Sequence, residues 1–360
     1  MMRPGKDTLS LYPLLLDPIF KYRIWGGRKL GTALGKKLPP QEPIGESWEV
    51  SCRNGDNNVI SNGHLAGKTL ADVLETDREA LLGASLGDSL KFPLLNKFID
   101  ANDLLSVQVH PTENLAAKTP GAEAKTEAWY IIHADPGATL IKGLKPGVTP
   151  DAFERAIRDN TVPSLLNSFP VETGDMVFVP AGCVHAMGKG LVICEIQQNS
   201  DTTYRVYDWG RVDAAGKPRQ LHVQQALAAI NFKDRSPDKV ASIAITEGKN
   251  KRTFLAACPY FAMQVLLLEK STVESTGKRR FESLMVLSGR GAIRTEAKRE
   301  TSISTGDSIL VPACVGSYMI DPSPRCTMLK IFVPDIDTEI VKPLRARGIA
   351  EEAIRAVVFE

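Results

Sequence analysis

A dominant charge sign is missing from this sequence. Forty-four lysines and arginines stand against 42 acids, the formal net charge is +2, and no basic block stands out. That argues against nucleic acid or an anionic membrane as the main partner. It leaves room for a local cationic pocket that takes a small anion. Long apolar runs are also missing. The N-terminal MMRPGKDTLSLYPLLLDPIF holds an apolar stretch too short for a secretory core, and prolines interrupt it. No signal peptide and no membrane span are expected, and the cytoplasm is the default location. Paired cysteine motifs are missing as well. Cys52, Cys183, Cys194, Cys258, Cys314 and Cys326 form no CxxC and no zinc-knuckle spacing. Buried free thiols in a reducing compartment are the expectation.

Helical signals are few. Apolar spacing near 3.6 with a Thr cap predicts a helix over 69–86. TPDAFERAI opens another over 149–169, with an N-cap and a Pro in the first turn. HVQQALAAINF predicts a third over 222–232, and IAEEAIRAVV a last one in the tail. The rest is short β-rich segments cut by Gly, Pro, Asp and Asn, such as DMVFVP, GLVICEI, FAMQVLLLE, SLMVLSG and DSILVP. Even spacing of short strands predicts a mainly β chain built as a sandwich or barrel.

One β-unit occurs twice. TGDMVFVPAGCVH at Thr173 matches TGDSILVPACVGS at Thr305 without a gap, and strands beginning TEAWYII and FESLMVL each start with a glutamate. His185 of the first copy becomes Ser317 in the second. The Gly-Asp turn, strand and Pro-x-x-x-x-His resemble a motif of the cupin superfamily, whose members are double-sheet jelly rolls that bind metal inside the barrel. The resemblance implies two cupin modules with helical insertions. Residues 1–235 form a metal-binding cupin, 250–334 a degenerate one without metal, and 335–360 a short helical tail whose role is packing or a subunit contact. At 360 residues, two modules also suit the length.

Three residues form a candidate metal set. In SVQVHP, alternation puts Ser106, Gln108 and His110 on one face, with valines on the other. Glu127 starts a strand and shares a face with Trp129, so it needs a buried partner such as a metal or an arginine. His185 follows a strand and a tight turn. Two imidazoles and a carboxylate suit Zn2+, one per chain, and leave a position free for water or substrate. Gln108 is a candidate fourth ligand. Iron or manganese also fits this spacing. Taken singly, each residue has a plainer reading, as a solvated strand histidine, a surface glutamate or a core histidine bonded to backbone.

FPLLNKFIDANDLLSVQVHP, GAEAKTEAWYII, VPAGCVHAMGKG, EIQQNSDTTYRVYDWGR, IWGG and GESWEVS together resemble the type I mannose-6-phosphate isomerases in their short bacterial form. The likeness runs from about Leu11 to Phe232 and continues weakly through the second cupin. It implies aldose–ketose isomerisation of a phosphorylated hexose in carbohydrate metabolism, with metal ligands at His110, Glu127 and His185 and Gln108 as an additional one. It places the catalytic arginine at Arg205. It assigns substrate binding or proton transfer to Ser106, Lys125 and Glu195, and sets Arg211 where longer members carry a lysine. Lys125 and Arg211 are then candidates for holding the phosphate. The proton-transfer base stays open between Glu195 and Lys125. Arg205 and Arg211 have a plainer reading as surface partners of Asp201 and Asp208. Lys97 is expected to snorkel or to pair with Asp100, and His64, His133 and His222 to be structural. An iron-dependent metallocupin of another reaction class and a non-catalytic sugar-phosphate sensor are the alternatives. A monomer and a homodimer are both compatible with the sequence.

Overall fold

In the computed structural model, residues 11–53, 55–86, 89–212 and 216–359 are described. The N-terminal half forms two facing sheets. One has six strands in the order Met176–Val179, Glu127–Ala134, Leu191–Gln198, Leu94–Ala101, Ile44–Val50 and Ile19–Gly27. The other has five, in the order Leu166–Pro170, Thr139–Leu144, His185–Met187, Val107–Val109 and Tyr204–Tyr207. Alternation along each strand sends one set of side chains between the sheets. Trp25, Ile99, Trp129, Leu140, Val177 and Ile193 pack there as a buried cluster.

The C-terminal half is one nine-stranded sheet around Leu266, Leu284, Ile293, Ile309 and Met328. The N-terminal stretch crosses to it. Leu14–Leu15 pairs with Ile309 and Leu310 as an edge strand of this nine-stranded sheet. A third core, including Phe92, Phe98, Phe261, Phe281, Met285 and Leu329, fills the seam between the halves. A buried ion pair of the first half is tied across the same seam by a serine of the second. Lys36 Nζ lies 2.6 Å from Glu49 Oε2, which also accepts from Ser308 Oγ at 2.6 Å.

The helices are shorter than the sequence pattern suggests. The 69–86 segment splits into Leu70–Thr76 and Arg78–Leu82. Thr69 and Asp72 form a capping box, and Asp77 leaves helical geometry between the two pieces. The 149–169 segment is helical only over Pro150–Arg158. Asn160 adopts a left-handed conformation, Val162–Leu165 makes a single 3₁₀ turn, and Leu166–Pro170 joins a sheet. The third helix covers Val223–Ala229. No described helix is long and apolar enough to cross a membrane.

The tail forms a turn of π-helix over Ile336–Val341 followed by two short α-helices. Ile340, Leu344, Ile354 and Val357 bury themselves on Phe254, Ala262 and Phe332. Phe359 stacks on Phe178 of the first half at 4.0 Å. The tail therefore packs against both halves. All six cysteines are free, and Cys52 and Cys314 are only partly buried.

Candidate metal centre and cavity

Glu127 comes from the six-stranded sheet, and His110 and His185 come from the facing one. The ligand atoms of the three lie within 4.8 Å of one another, and all three side chains are buried. Each imidazole is oriented by backbone. His110 Nδ1 lies 2.8 Å from the Thr202 carbonyl and His185 Nδ1 lies 2.9 Å from the Cys183 carbonyl. Nδ1–H donation to those carbonyls leaves both Nε2 lone pairs aimed at Glu127. Burial first, then the nearby Lys125 charge, pushes His110 down to about 3. Burial likewise lowers His185. Burial would raise Glu127, but Lys125 and the two imidazoles outweigh it and hold its carboxyl well below the usual range.

Neutral imidazoles facing an ionised carboxylate make a set of acceptors without enough donors. His110 Nε2 sits 3.4 Å from Glu127 Oε2, and His185 Nε2 sits 3.2 Å from Oε1. His110 Nε2 and both Glu127 oxygens have no hydrogen-bond partner. Lys125 Nζ approaches Oε2 at 2.8 Å as an ion pair, without hydrogen-bond geometry. Buried lone pairs crowded this way fit a divalent cation between them. Gln108 shares a rung with His185, its Nε2 lying 3.2 Å from His185 Nε2. The two ends of an amide are assigned from hydrogen bonding, so a flip presents Oε1 to the same spot.

The centre opens into a cavity of about 440 Å³. His185 and Gln108 are part of its lining. The wall carries Lys125, Trp129, Glu195, Lys97 and Glu46, and Ser106, Arg205, Arg219, Arg23, Asp201 and Thr203 complete the lining with a few apolar residues. Glu195 is held on both oxygens. Lys97 Nζ donates to Oε1 at 3.1 Å and Trp129 Nε1 donates to Oε2 at 3.1 Å. Arg205 Nε donates to Ser106 Oγ at 3.3 Å and Nη1 to the Gln220 carbonyl at 3.0 Å.

Two sequence expectations change here. Lys97 does not pair with Asp100. Three residues apart on one strand, their side chains point to opposite faces. Lys97 sits directly opposite Glu195 across the strands, while Asp100 accepts from the Lys29 backbone N–H at 2.6 Å. Strict alternation along LLNKFIDA would have found this. Arg211 does not line the cavity. Its guanidinium binds Asp208 at 2.6 Å and the Leu104 carbonyl. Arg205, by contrast, has no carboxylate partner among the described residues.

Sequence reasoning overlooked three lining residues, Arg23, Glu46 and Arg219. Arg23 grips both Glu46 oxygens at 3.1 Å. Burial would raise Glu46, but Lys97 and Arg23 together lower it to about 2. Glu46 lies in GESWEVS, where alternation with Trp48 on a buried strand was the available signal. His133 meets Asp135 at 2.8 Å on the surface, His64 packs on Tyr12, and His222 Nδ1 accepts from the Arg205 backbone N–H at 3.2 Å.

The second half holds a charge-altered copy of this wall. Val179 pairs with Glu127, and at the matching point of the repeat Val311 pairs with Glu282. Lys125 and Arg280 each stand two residues before those glutamates. Register then aligns Glu195 with Lys330, Lys97 with Gln264, and Glu46 with Arg252. Glu282 is met by Arg280 at 2.5 Å, Lys330 at 3.0 Å and the Tyr318 hydroxyl. Protein cations thus neutralise the carboxylate that corresponds to Glu127. Lys330 also meets Glu274 at 2.6 Å, and Arg252 meets the same carboxylate at 2.5 Å. Lys330→Met therefore removes one of the cations on each of two buried carboxylates and is expected to cost roughly 1.5–3 kcal/mol of stability. Chemical denaturation measures this, and metal content should not change.

Comparison with known proteins agrees with this geometry. The family model described as "Phosphomannose isomerase type I, catalytic domain" matches residues 14–137, and "Mannose-6-phosphate isomerase, cupin domain" matches residues 250–331. A mannose-6-phosphate isomerase of Streptococcus mutans is 35% identical over 309 residues, 86% of this chain and 95% of that protein. The chain belongs to the type I phosphomannose isomerases. Another member, the mannose-6-phosphate isomerase ManA of Bacillus subtilis, is 35% identical over 319 residues, 88% of this chain and 98% of its own length. A crystal structure of a Bacillus subtilis mannose 6-phosphate isomerase superposes with a TM-score of 0.81 at 30% identity, over 89% of this chain and 99% of that one. The mainly β, two-cupin architecture with helical insertions is therefore that of the phosphomannose isomerases.

Proposed function

We infer that this chain interconverts mannose 6-phosphate and fructose 6-phosphate, using a divalent metal held by His110, Glu127 and His185. One observation carries this reading. A single cavity, lined by His185 of the buried His-Glu-His set, also holds the Glu195 carboxylate and arginines that retain free donors. Zinc suits two imidazoles and one carboxylate, with Gln108 as a further oxygen ligand. When bound, the metal supplies Lewis-acid stabilisation of negative charge on the sugar's C1 and C2 oxygens.

The chain's residues supply the rest. We assign proton transfer between C1 and C2 to Glu195. Each of its oxygens accepts one donor, which fixes the carboxylate and leaves lone pairs toward the cavity. Lys125 is ion-paired to Glu127 and serves as a fixed positive charge. Arg205, held by Ser106 and the Gln220 carbonyl, directs its remaining donors at charge developing on the substrate. Trp129 and Met187 help keep water away from the reacting carbons. The sequence's alternatives, an iron metallocupin or a sensor, are not favoured by these relatives.

Arg205→Gln is expected to lower kcat roughly 10²–10³-fold while metal content stays at the wild-type level. Steady-state kinetics and elemental analysis on one preparation check both parts. A coupled assay for fructose 6-phosphate tests the function itself. A metal-replete wild-type protein that forms none would refute it.

A further inference from the structure

Three arginines crowd the flank of the cavity beside Ser106. Arg211 and Arg219 share Asp208, the one carboxylate within ion-pair distance of either among the described residues, and Arg205 has none. Asp208 is buried, and Arg219 grips it through Nε at 2.7 Å and Nη2 at 2.5 Å. Arg211 binds the same carboxylate and spends its other donors on the Leu104 and Asp208 carbonyls. The cluster keeps an excess of positive charge. Only Arg205 and Arg219 of the three line the cavity.

The other cavity cations are already neutralised. Lys125 is paired with Glu127, Lys97 with Glu195, and Arg23 with Glu46. Asp201 also lines the cavity, and it forms no ion pair with these arginines. The excess charge therefore lies where Arg205 and Arg219 meet the open space. Ser106 stands one strand rung-pair from Gln108, roughly 7 Å along the chain. That is comparable to the reach from the reacting carbons of an open six-carbon sugar to its 6-phosphate. Gln108 lies beside the metal set and Arg205 donates to Ser106, so the Arg205 end of the cluster sits at a suitable distance.

We propose that Arg219, with Arg205, binds the phosphate of the substrate, and that Arg211 is a brace behind it. This rests on the isomerase reading above and moves the phosphate contact from Arg211 to a residue ten positions from the nearest motif tryptophan. Asp208 holds Arg219 by one edge of its guanidinium. Nη1 remains available for a phosphate oxygen, a contact that ammonium groups make without directional pairing.

The test uses the metal-loaded full-length protein. Inorganic phosphate binding is measured by calorimetry, and KM and kcat are measured for mannose 6-phosphate. Arg219→Gln is expected to weaken phosphate binding and raise KM roughly 10- to 100-fold, with a much smaller change in kcat. A residue that only props up the fold would change kcat and melting temperature together instead. Arg219→Lys keeps the charge without the fork and should lose a smaller, measurable part of the affinity; it also serves if the glutamine variant fails to fold. Wild-type phosphate affinity in the folded variants overturns the proposal, as does loss of phosphate binding in Arg211→Gln alone. A wild-type protein that binds phosphate through Arg219 but does not isomerise mannose 6-phosphate supports the anion site and defeats the isomerase reading.

Discussion

His185→Ala is expected to abolish metal binding and turnover together. The reason lies in how few groups share the load. Glu127 and two imidazoles supply all the ligand atoms in the described cluster, and each imidazole is committed by a backbone carbonyl to present Nε2. Removing one leaves a buried carboxylate facing a single imidazole, with Lys125 as its nearest cation at 2.8 Å. That ion pair is then free to close, as the corresponding Glu282 has done with Arg280 and Lys330. The variant should therefore fold. Its melting temperature should stay near that of metal-stripped wild type, because ligand loss removes only the stabilisation that the metal contributes. Elemental analysis and the coupled assay check the loss, and a thermal melt checks the fold. Full metal occupancy in the variant would place the metal elsewhere.

Glu195→Gln is expected to lower kcat roughly 10²–10⁴-fold, the usual worth of a positioned general base. The amide keeps the shape of the carboxylate and can still accept from Lys97 or Trp129. It cannot take a proton from carbon. Metal content should be unchanged, because Glu195 is not among the metal set. Lys125→Met provides the contrast. If Lys125 is only a fixed charge beside Glu127, its loss should reduce the rate without stopping exchange of the C2 proton with solvent. Deuterium exchange at C2 of the substrate reads this directly. Exchange that persists in Glu195→Gln and disappears in Lys125→Met would reverse the assignment.

Much of this site was legible because strands obey a two-residue period. SVQVHP places Ser106, Gln108 and His110 on one face, and the structure turns that face toward the cavity or the metal set. The TGD repeat marks two related β-units in the sequence itself. Register then showed more than the repeat could, because Lys330 and Gln264 align with Glu195 and Lys97 only through strand pairing. Lys97 itself was misjudged by looking for the nearest acid in sequence rather than across the sheet. Arg219 was illegible for a different reason. It lies beyond a strand and a turn, and nothing in its local pattern says which way that segment folds back. The helix ends were overestimated because apolar spacing continues through Asp77 and past Asn160, where backbone conformation ends the helices. The tail's last helix, Glu351–Val357, could be read from its sequence, but the one before it, Lys342–Ala346 across a Pro-Leu pair, could not. The tail's docking on both halves depends on Phe359 and Ile340 finding distant partners.

The central claim is that a metal at His110, Glu127 and His185 makes this cavity an isomerase. Metal stoichiometry and fructose 6-phosphate formation, measured on the same preparation before chelation, after it and after adding zinc back, test it most directly. The account predicts one metal per chain, turnover lost with the metal, and both restored together. Undiminished turnover in metal-free protein would contradict it.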